Sequence, residues 1–455
     1  MRHIPGFLAA LAASLVCLSA AAQRGSIRDD ASFLLDRDNG QYALGDTVRL
    51  SARIIGQDPG PLEMTVYENG IRRSRTLIAP LTSESRVIYQ DIRAVPTAVT
   101  LEIRPAFTPE ADYEEEPLPD KNCLRVGYVC GAKGFTPGFD EPKDLRKWWD
   151  KQIRTLRRSP MKVKLEPVAL QGADAENFEC FKVEISALDS IPVRGYLAKP
   201  KGAAKGTLPV SMYLRAAGVA GFWCKANVAT AMEYARMGAI SLDINAHGML
   251  NDAPDSYYRE LEDGRLKGYD SRPIRDRESY YFRMMVLRAI RALDYVTSDP
   301  AWDGERVLVM GESQGGFQSA MLAGLDSRVS DVVTIVPAGT GTGESRKGRR
   351  NAWPWPLEHS SFSEASLAWA PYFDAALLLK GSKANCLVEA GLIDTTCPTA
   401  AVCSGYNGVT GEVTYITSPY RTHQLSYMPA QYRTWWDENV EGRRRAYIRS
   451  RLGAK

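Results

Sequence analysis

The chain has 455 residues, a formal net charge of +3 and 44% hydrophobic residues, enough for two domains and a large core. Balanced charge argues against a nucleic-acid binder, and the apolar run at residues 7–19 is too short to span a membrane. With four histidines and no C-x-x-C spacing, neither a metal site nor a cofactor is expected.

Residues 1–22 read as a secretory signal, with Arg2 ahead of the apolar run and a small-residue cleavage site at Ala20-Ala21-Ala22. Cleavage near Ala22 implies export, periplasmic or extracellular. Removing Cys17 leaves seven cysteines at 123, 130, 180, 224, 386, 397 and 403, an odd and scattered set rather than a disulfide framework. Cys123 and Cys130 are near enough in sequence to pair in an oxidising compartment, and the others read as small buried hydrophobes. Residues 23–108 hold short strand patterns at 47–55, 62–67, 87–89 and 99–103. Asn69-Gly70 after an alternating run is a hairpin signal, and the set predicts a small all-β sandwich. An acidic, proline-bearing stretch at 109–120 opens an expected linker over 109–140.

From residue 141 the pattern changes. A helix is predicted over 142–158, with Leu145, Trp148, Trp149 and Ile153 on one face. Strands at 210–214, 239–243, 307–310, 332–336, 386–390 and 413–416 then alternate with helical patterns at 226–236, 278–296, 316 onward, 370–380 and 402–406. A last helix is expected near 431–441. Such alternation builds a mostly parallel sheet covered by helices on both faces.

The sequence Gly311-Glu312-Ser313-Gln314-Gly315 follows the most apolar of these strands and precedes a helical run. In a G-x-S-x-G elbow the serine occupies a tight strand-to-helix turn, and its Oγ projects above the sheet. A serine nucleophile needs a base, and the base an orienting acid, in the chain order Ser, Asp or Glu, His. His3 falls in the signal, His247 precedes the serine and His359 precedes the strand whose end should carry the acid. His423 alone fits as base. Asp394, after the 386–390 strand, is the expected acid, and Asp374 on a helical pattern is the weaker candidate. The oxyanion of acyl transfer needs backbone N–H donors. Gln314, after the nucleophile, should supply one; the loop 215–218 should supply the other, with Ala217 chosen.

From about residue 141 to 435 the chain resembles the acetyl xylan esterase / cephalosporin C deacetylase family, carbohydrate esterase family 7. The segments PKDLRKWW, GYLAKPKG, LDINAHG, WDGERVLVMGESQGG, PYFDAALLL, GLIDTTCP and SPYRTHQ carry the likeness. It implies an α/β-hydrolase fold, deacetylation of short acyl esters on sugars, an acetylated carbohydrate substrate, and Ser313, Asp394 and His423 as the triad. The preceding sandwich resembles the immunoglobulin-like module found ahead of such esterases. Three sites depart from the family. Asn245-Ala246-His247 replaces Arg-Gly-Gln, Arg215-Ala216-Ala217 replaces His-Gly-Tyr, and His423-Gln424 replaces His-Glu.

The segment 339–369 is rich in cations and indoles. Trp353, Trp355 and Arg349 are its candidate substrate contacts, against the plainer reading of a basic loop with tryptophans packed on the core. Rival functions are a methyl or glucuronoyl esterase, a serine peptidase of the prolyl oligopeptidase type and a non-catalytic carbohydrate-binding protein. The peptidase needs a far larger N-terminal propeller, and an intact set of triad residue types argues against the binding protein.

Overall fold

The computed structural model describes residues 26–107, 122–272, 276–359, 364–425 and 428–453. The expected signal at 1–22 and the acidic stretch 109–120 lie outside them. Among the described residues no helix is long and apolar enough to cross a membrane.

The N-terminal region is all β. Strands β1 (Ala31–Leu35), β2 (Gln41–Tyr42), β3 (Thr47–Ile54) and β4 (Leu62–Glu68) are followed by β5 (Ile71–Ile78), β6 (Arg86–Ile92), β7 (Thr97–Pro105) and β8 (Leu124–Cys130). They form two sheets, of order β1-β3-β6 and β2-β8-β7-β4-β5. The hairpin expected at Asn69-Gly70 joins β4 to β5. Both turn residues have positive φ, 52° and 82°, the handedness that matches strand twist.

The boundary at residue 108 needs correction. β8 lies within the expected linker, yet it pairs with β2 and β7 in the middle of its sheet. Its seven residues are all buried, so no polar alternation marked it as a strand. The same strand rules out the Cys123–Cys130 pairing. Both thiols are free, and seven residues of extended chain hold them roughly 23 Å apart.

The second part of the chain supplies β9 (Val163–Pro167), β10 (Phe178–Ile185), β11 (Val193–Pro200), β12 (Leu208–Leu214) and β13 (Ile240–Ile244). β14 (Trp302–Glu312), β15 (Asp331–Ile335), β16 (Asn385–Gly391) and β17 (Val413–Ser418) complete one nine-stranded sheet. Its order is β17-β16-β15-β14-β12-β13-β11-β10-β9. The first six run parallel and the last three pair antiparallel, the α/β-hydrolase arrangement. The helix Leu145–Arg158 forms as expected, with Leu145, Trp148, Trp149 and Ile153 buried.

Strand periodicity divides the core. Val307, Val309, Val332 and Val388 join the cluster beneath the helix Tyr281–Val296. Leu308, Met310, Val333 and Leu387 point the other way, into a cluster shared with the C-terminal Trp436 and Ile448 and with the N-terminal Phe33, Leu50 and Tyr128. Polar contacts reinforce this junction. Gly127 N–H donates to the Pro419 carbonyl (2.8 Å), Tyr420 hydroxyl to Phe33 (2.6 Å), and Thr100 hydroxyl to Leu392 (3.3 Å). The β region therefore packs on the segments that lead into Asp394 and His423.

Gly127 sits at the tightest point of that junction, where a Cβ would stand 2.2 Å from the Leu392 carbonyl oxygen. Gly127→Ala should destabilise the protein by about 1–3 kcal/mol through overpacking. It should also slow ester hydrolysis, because Leu392 leads into Asp394. Urea unfolding and 4-nitrophenyl acetate turnover of the variant check both effects. Wild-type values in both would contradict the bracing role.

Candidate active site

β14 ends at Glu312, and the helix Gln314–Leu325 begins two residues later. Ser313 between them has φ 53° and ψ −117°, a strained conformation for a residue with a side chain. The glycines make the turn possible. A Cβ on Gly315 would stand 2.0 Å from the Leu214 carbonyl oxygen, and one on Gly311 would stand 2.6 Å from the same atom. The turn is further held by Ser313 N–H donating to Ile335 (2.9 Å) and by Ala338 N–H donating to the Ser313 carbonyl (3.0 Å).

Above this turn Ser313, His423 and Asp394 meet. His423 Nδ1 is 2.9 Å from Asp394 Oδ2, and His423 Nε2 is 2.9 Å from Ser313 Oγ. A carboxylate only accepts, so Nδ1 carries the proton and neutral Nε2 is left to accept from the serine hydroxyl. Asp394 is fixed in turn, since its Oδ1 accepts from the N–H groups of Thr396 (2.8 Å) and Cys397 (2.7 Å). Asp374, the other acid candidate, lies elsewhere. It is buried and its oxygens hold the N–H groups of Gly341, Thr342 and Ala376.

Gln314 is the first residue of the helix and Ala217 lies in the loop after β12, as the oxyanion expectation requires. A buried network connects the two. Tyr269 hydroxyl donates to Gln314 Oε1 (2.8 Å) and accepts from Gly218 N–H (3.4 Å). His247 Nε2 lies 3.1 Å from the Gly218 carbonyl and its Nδ1 lies 2.7 Å from Tyr281 hydroxyl. Burial, with Arg288 and Arg265 nearby, pushes His247 down to about 3, so the ring is neutral. A carbonyl cannot donate, hence Nε2 carries the proton and Nδ1 accepts from tyrosine. The Ala217 carbonyl accepts from Trp223 Nε1 at 2.8 Å.

Residues 132–339, including Ser313, match the family model described as acetyl xylan esterase. The match covers somewhat less than half of the chain. The acetyl esterase Axe7A of Xylanibacter ruminicola is 27% identical over 352 residues, 76% of each protein. Among solved structures, the acetyl xylan esterase from Paenibacillus sp. R4 is 23% identical with a TM-score of 0.56, covering 69% of this chain and 98% of that one. Acetyl xylan esterase 1 from Thermoanaerobacterium sp. JW/SL YS485 is 20% identical with a TM-score of 0.55, covering 68% and 97%. These last two likenesses show the fold.

The 339–369 segment follows the plainer reading, with its tryptophans Trp353 and Trp369 packed on the core. Arg349 is already engaged: it pairs with Glu344, which is 0% exposed, and donates to the Thr136 carbonyl at 2.6 Å. Lys347 donates to Thr136 hydroxyl, and Arg350 to the Thr395 carbonyl. Trp353 is buried edge-on against Phe282, and Trp369 packs on Tyr280. Of the three candidate contacts, Trp355 and Arg349 line a cavity and Trp353 does not.

Several site residues escaped the sequence reading. Tyr269 and Tyr281 fall in a stretch with no motif, and His247 enters the sequence reading only as a rejected base and as a departure from the family. Arg421 donates to Glu312 at 2.9 Å, tying the base loop to the elbow. Cys397 lies beside the triad: among the described residues its Sγ, an Asp394 oxygen and a His423 nitrogen form the one group with metal-ligand proximity, all within 4.8 Å. Metal ligation there would cost the hydrogen bonds that align the triad, and burial pushes the Cys397 thiol up to about 11, away from the thiolate a metal needs.

Burial alone would lower the His423 pKa, but the adjacent Asp394 carboxylate overcomes this and holds it well above the usual histidine range. Only neutral His423 can take the serine proton. Activity should therefore be full above the raised pKa and fall as pH drops through it, with the acid limb of kcat/KM lying above about 6.5. In Asp394→Asn that limb should move to lower pH and turnover should fall about 10⁴-fold. A pH series with 4-nitrophenyl acetate checks this; a wild-type midpoint at or below the ordinary histidine value would contradict it.

Proposed function

We propose that this chain is a serine carboxyl-ester hydrolase that removes acetyl groups from polysaccharides or oligosaccharides. The observation that carries the reading is the Ser313–His423–Asp394 hydrogen-bond chain in a protein whose residues 132–339 match the acetyl xylan esterase family model. Ser313 Oγ attacks the acetyl carbonyl carbon while His423 Nε2 takes its proton. The oxyanion is met by backbone N–H groups of Gln314 and the 215–218 loop. Collapse breaks the bond to the sugar oxygen, which leaves with the proton from His423. Water, deprotonated by His423, then attacks the acetyl-serine, and acetate departs with Ser313 restored.

The relatives' printed names, acetyl esterase and acetyl xylan esterase, support acetylated xylan or a related plant-type glycan as substrate. The signal-like residues 1–22 support action outside the cytoplasm.

Ser313→Ala should lower hydrolysis of 4-nitrophenyl acetate by about 10⁴-fold or more with its near-UV circular dichroism unchanged. The wild-type enzyme should cleave acetyl and propionyl esters well and octanoyl esters poorly. A variant that kept a few per cent of activity, or a wild type that preferred long chains, would overturn the assignment.

A further inference from the structure

Next to the acid loop, at Thr395 and Thr396, lies a cavity of about 540 Å³ built by three separate parts of the chain. The turn of the β4–β5 hairpin contributes Gly70 and Ile71, the 339–369 segment contributes Asn351, Trp355 and Glu358, and the acid loop contributes Thr396. Hydrogen bonds link this cavity to the reacting serine. Ala338 N–H bonds the Ser313 carbonyl, and the next residue, Gly339, donates to the Trp353 carbonyl (2.8 Å). Trp353 N–H donates to the Thr396 carbonyl (2.9 Å), and Thr396 N–H donates to Asp394. The Trp353–Trp355 turn thus spans the elbow and the acid loop.

We propose that this cavity binds a pyranose ring of the glycan chain adjoining the one whose acetyl group reaches Ser313. The inference rests on the deacetylase reading and adds to it a subsite to which the N-terminal β region contributes a wall. Its lining suits a sugar. Trp355 is half-buried with φ 51°, an unusual conformation for a bulky residue, and its indole N–H is already satisfied by the Asn351 carbonyl at 3.2 Å. What it offers the cavity is apolar surface, matching the C–H face of a pyranose. Asn351 donates to Glu358 at 3.1 Å, and the carboxylate of Glu358, the hydroxyl of Thr396 and the guanidinium groups of Arg349 and Arg350 line the same wall as polar partners for ring hydroxyls.

The hairpin is held in place for this task. Arg350 N–H donates to the Asn69 carbonyl at 2.9 Å, and a Cβ on Gly70 would stand 2.6 Å from Arg350 Cβ. Ile71, 41% exposed, sits next to that contact.

Two variants and one binding measurement test the proposal. Trp355→Ala should lower the ratio of kcat/KM for acetylated xylotriose to that for 4-nitrophenyl acetate by about three- to tenfold, the scale of a lost aromatic contact. Ile71→Trp, at an exposed hairpin position, should lower the same ratio by crowding the cavity. In full-length Ser313→Ala protein, unacetylated xylotriose should bind by isothermal titration calorimetry, and adding Trp355→Ala should weaken that binding. Unchanged ratios in both variants, or titration that Trp355→Ala does not affect, would overturn the subsite. If the wild type released no acetate from any glycan while xylotriose still bound in a Trp355-dependent way, the deacetylase reading would fail and the subsite would stand.

Discussion

The constraint on which the site depends is the contact between Gly315 and the carbonyl of Leu214. No side chain fits between them, so the turn after β14 and the end of β12 must meet backbone to backbone. Three consequences follow from that one approach. Ser313 is forced into its strained conformation above the sheet, the helix Gln314–Leu325 starts immediately beside it, and the loop after Leu214 opens next to the helix N-terminus. Packing thus sets Ser313 beside the start of the helix and the 215–218 loop before any substrate arrives.

The rest of the site is held by groups that do not touch substrate. Tyr269 and His247 grip the two polar groups of Gly218 and so fix the loop that carries Ala217. On the other side, the N-terminal sheets press Gly127, Thr100 and Phe33 against residues leading into the acid and base loops. Continuity of the core makes this rigid: Leu308 and Met310 on β14 share one cluster with Phe33 and Leu50. The N-terminal region is a structural part of the molecule, with its β4–β5 turn at the rim of the cavity next to the acid loop.

Much of this was legible in sequence because the chemistry is order-dependent and local. The apolar strand before Gly311 and the Asn69-Gly70 turn follow from residues close in the chain, and the order Ser313, Asp394, His423 follows from where each falls relative to the strands. What escaped depended on distant partners. β8 is buried on both faces, so it lacked alternation, and β10 and β11 run antiparallel in a sheet whose pattern suggested parallel units. Arg349 and Trp353 looked like substrate contacts by residue type. Glu344 requires the first as a counter-charge and Phe282 packs the second, and neither partnership leaves a trace in spacing. Tyr269 carries no motif at all; its role follows from folding that sets it between Gly218 and Gln314.

The central claim is that a sugar's acetyl group passes through a covalent ester on Ser313. Rapid acid quench of the wild-type enzyme during turnover of acetylated xylotriose, followed by peptide mapping, tests it most directly. The account predicts an acetyl group on the peptide containing Ser313, formed within the first turnover and lost once substrate is exhausted. Acetate release with no acetyl group on the protein, or acetylation at another residue, would contradict it.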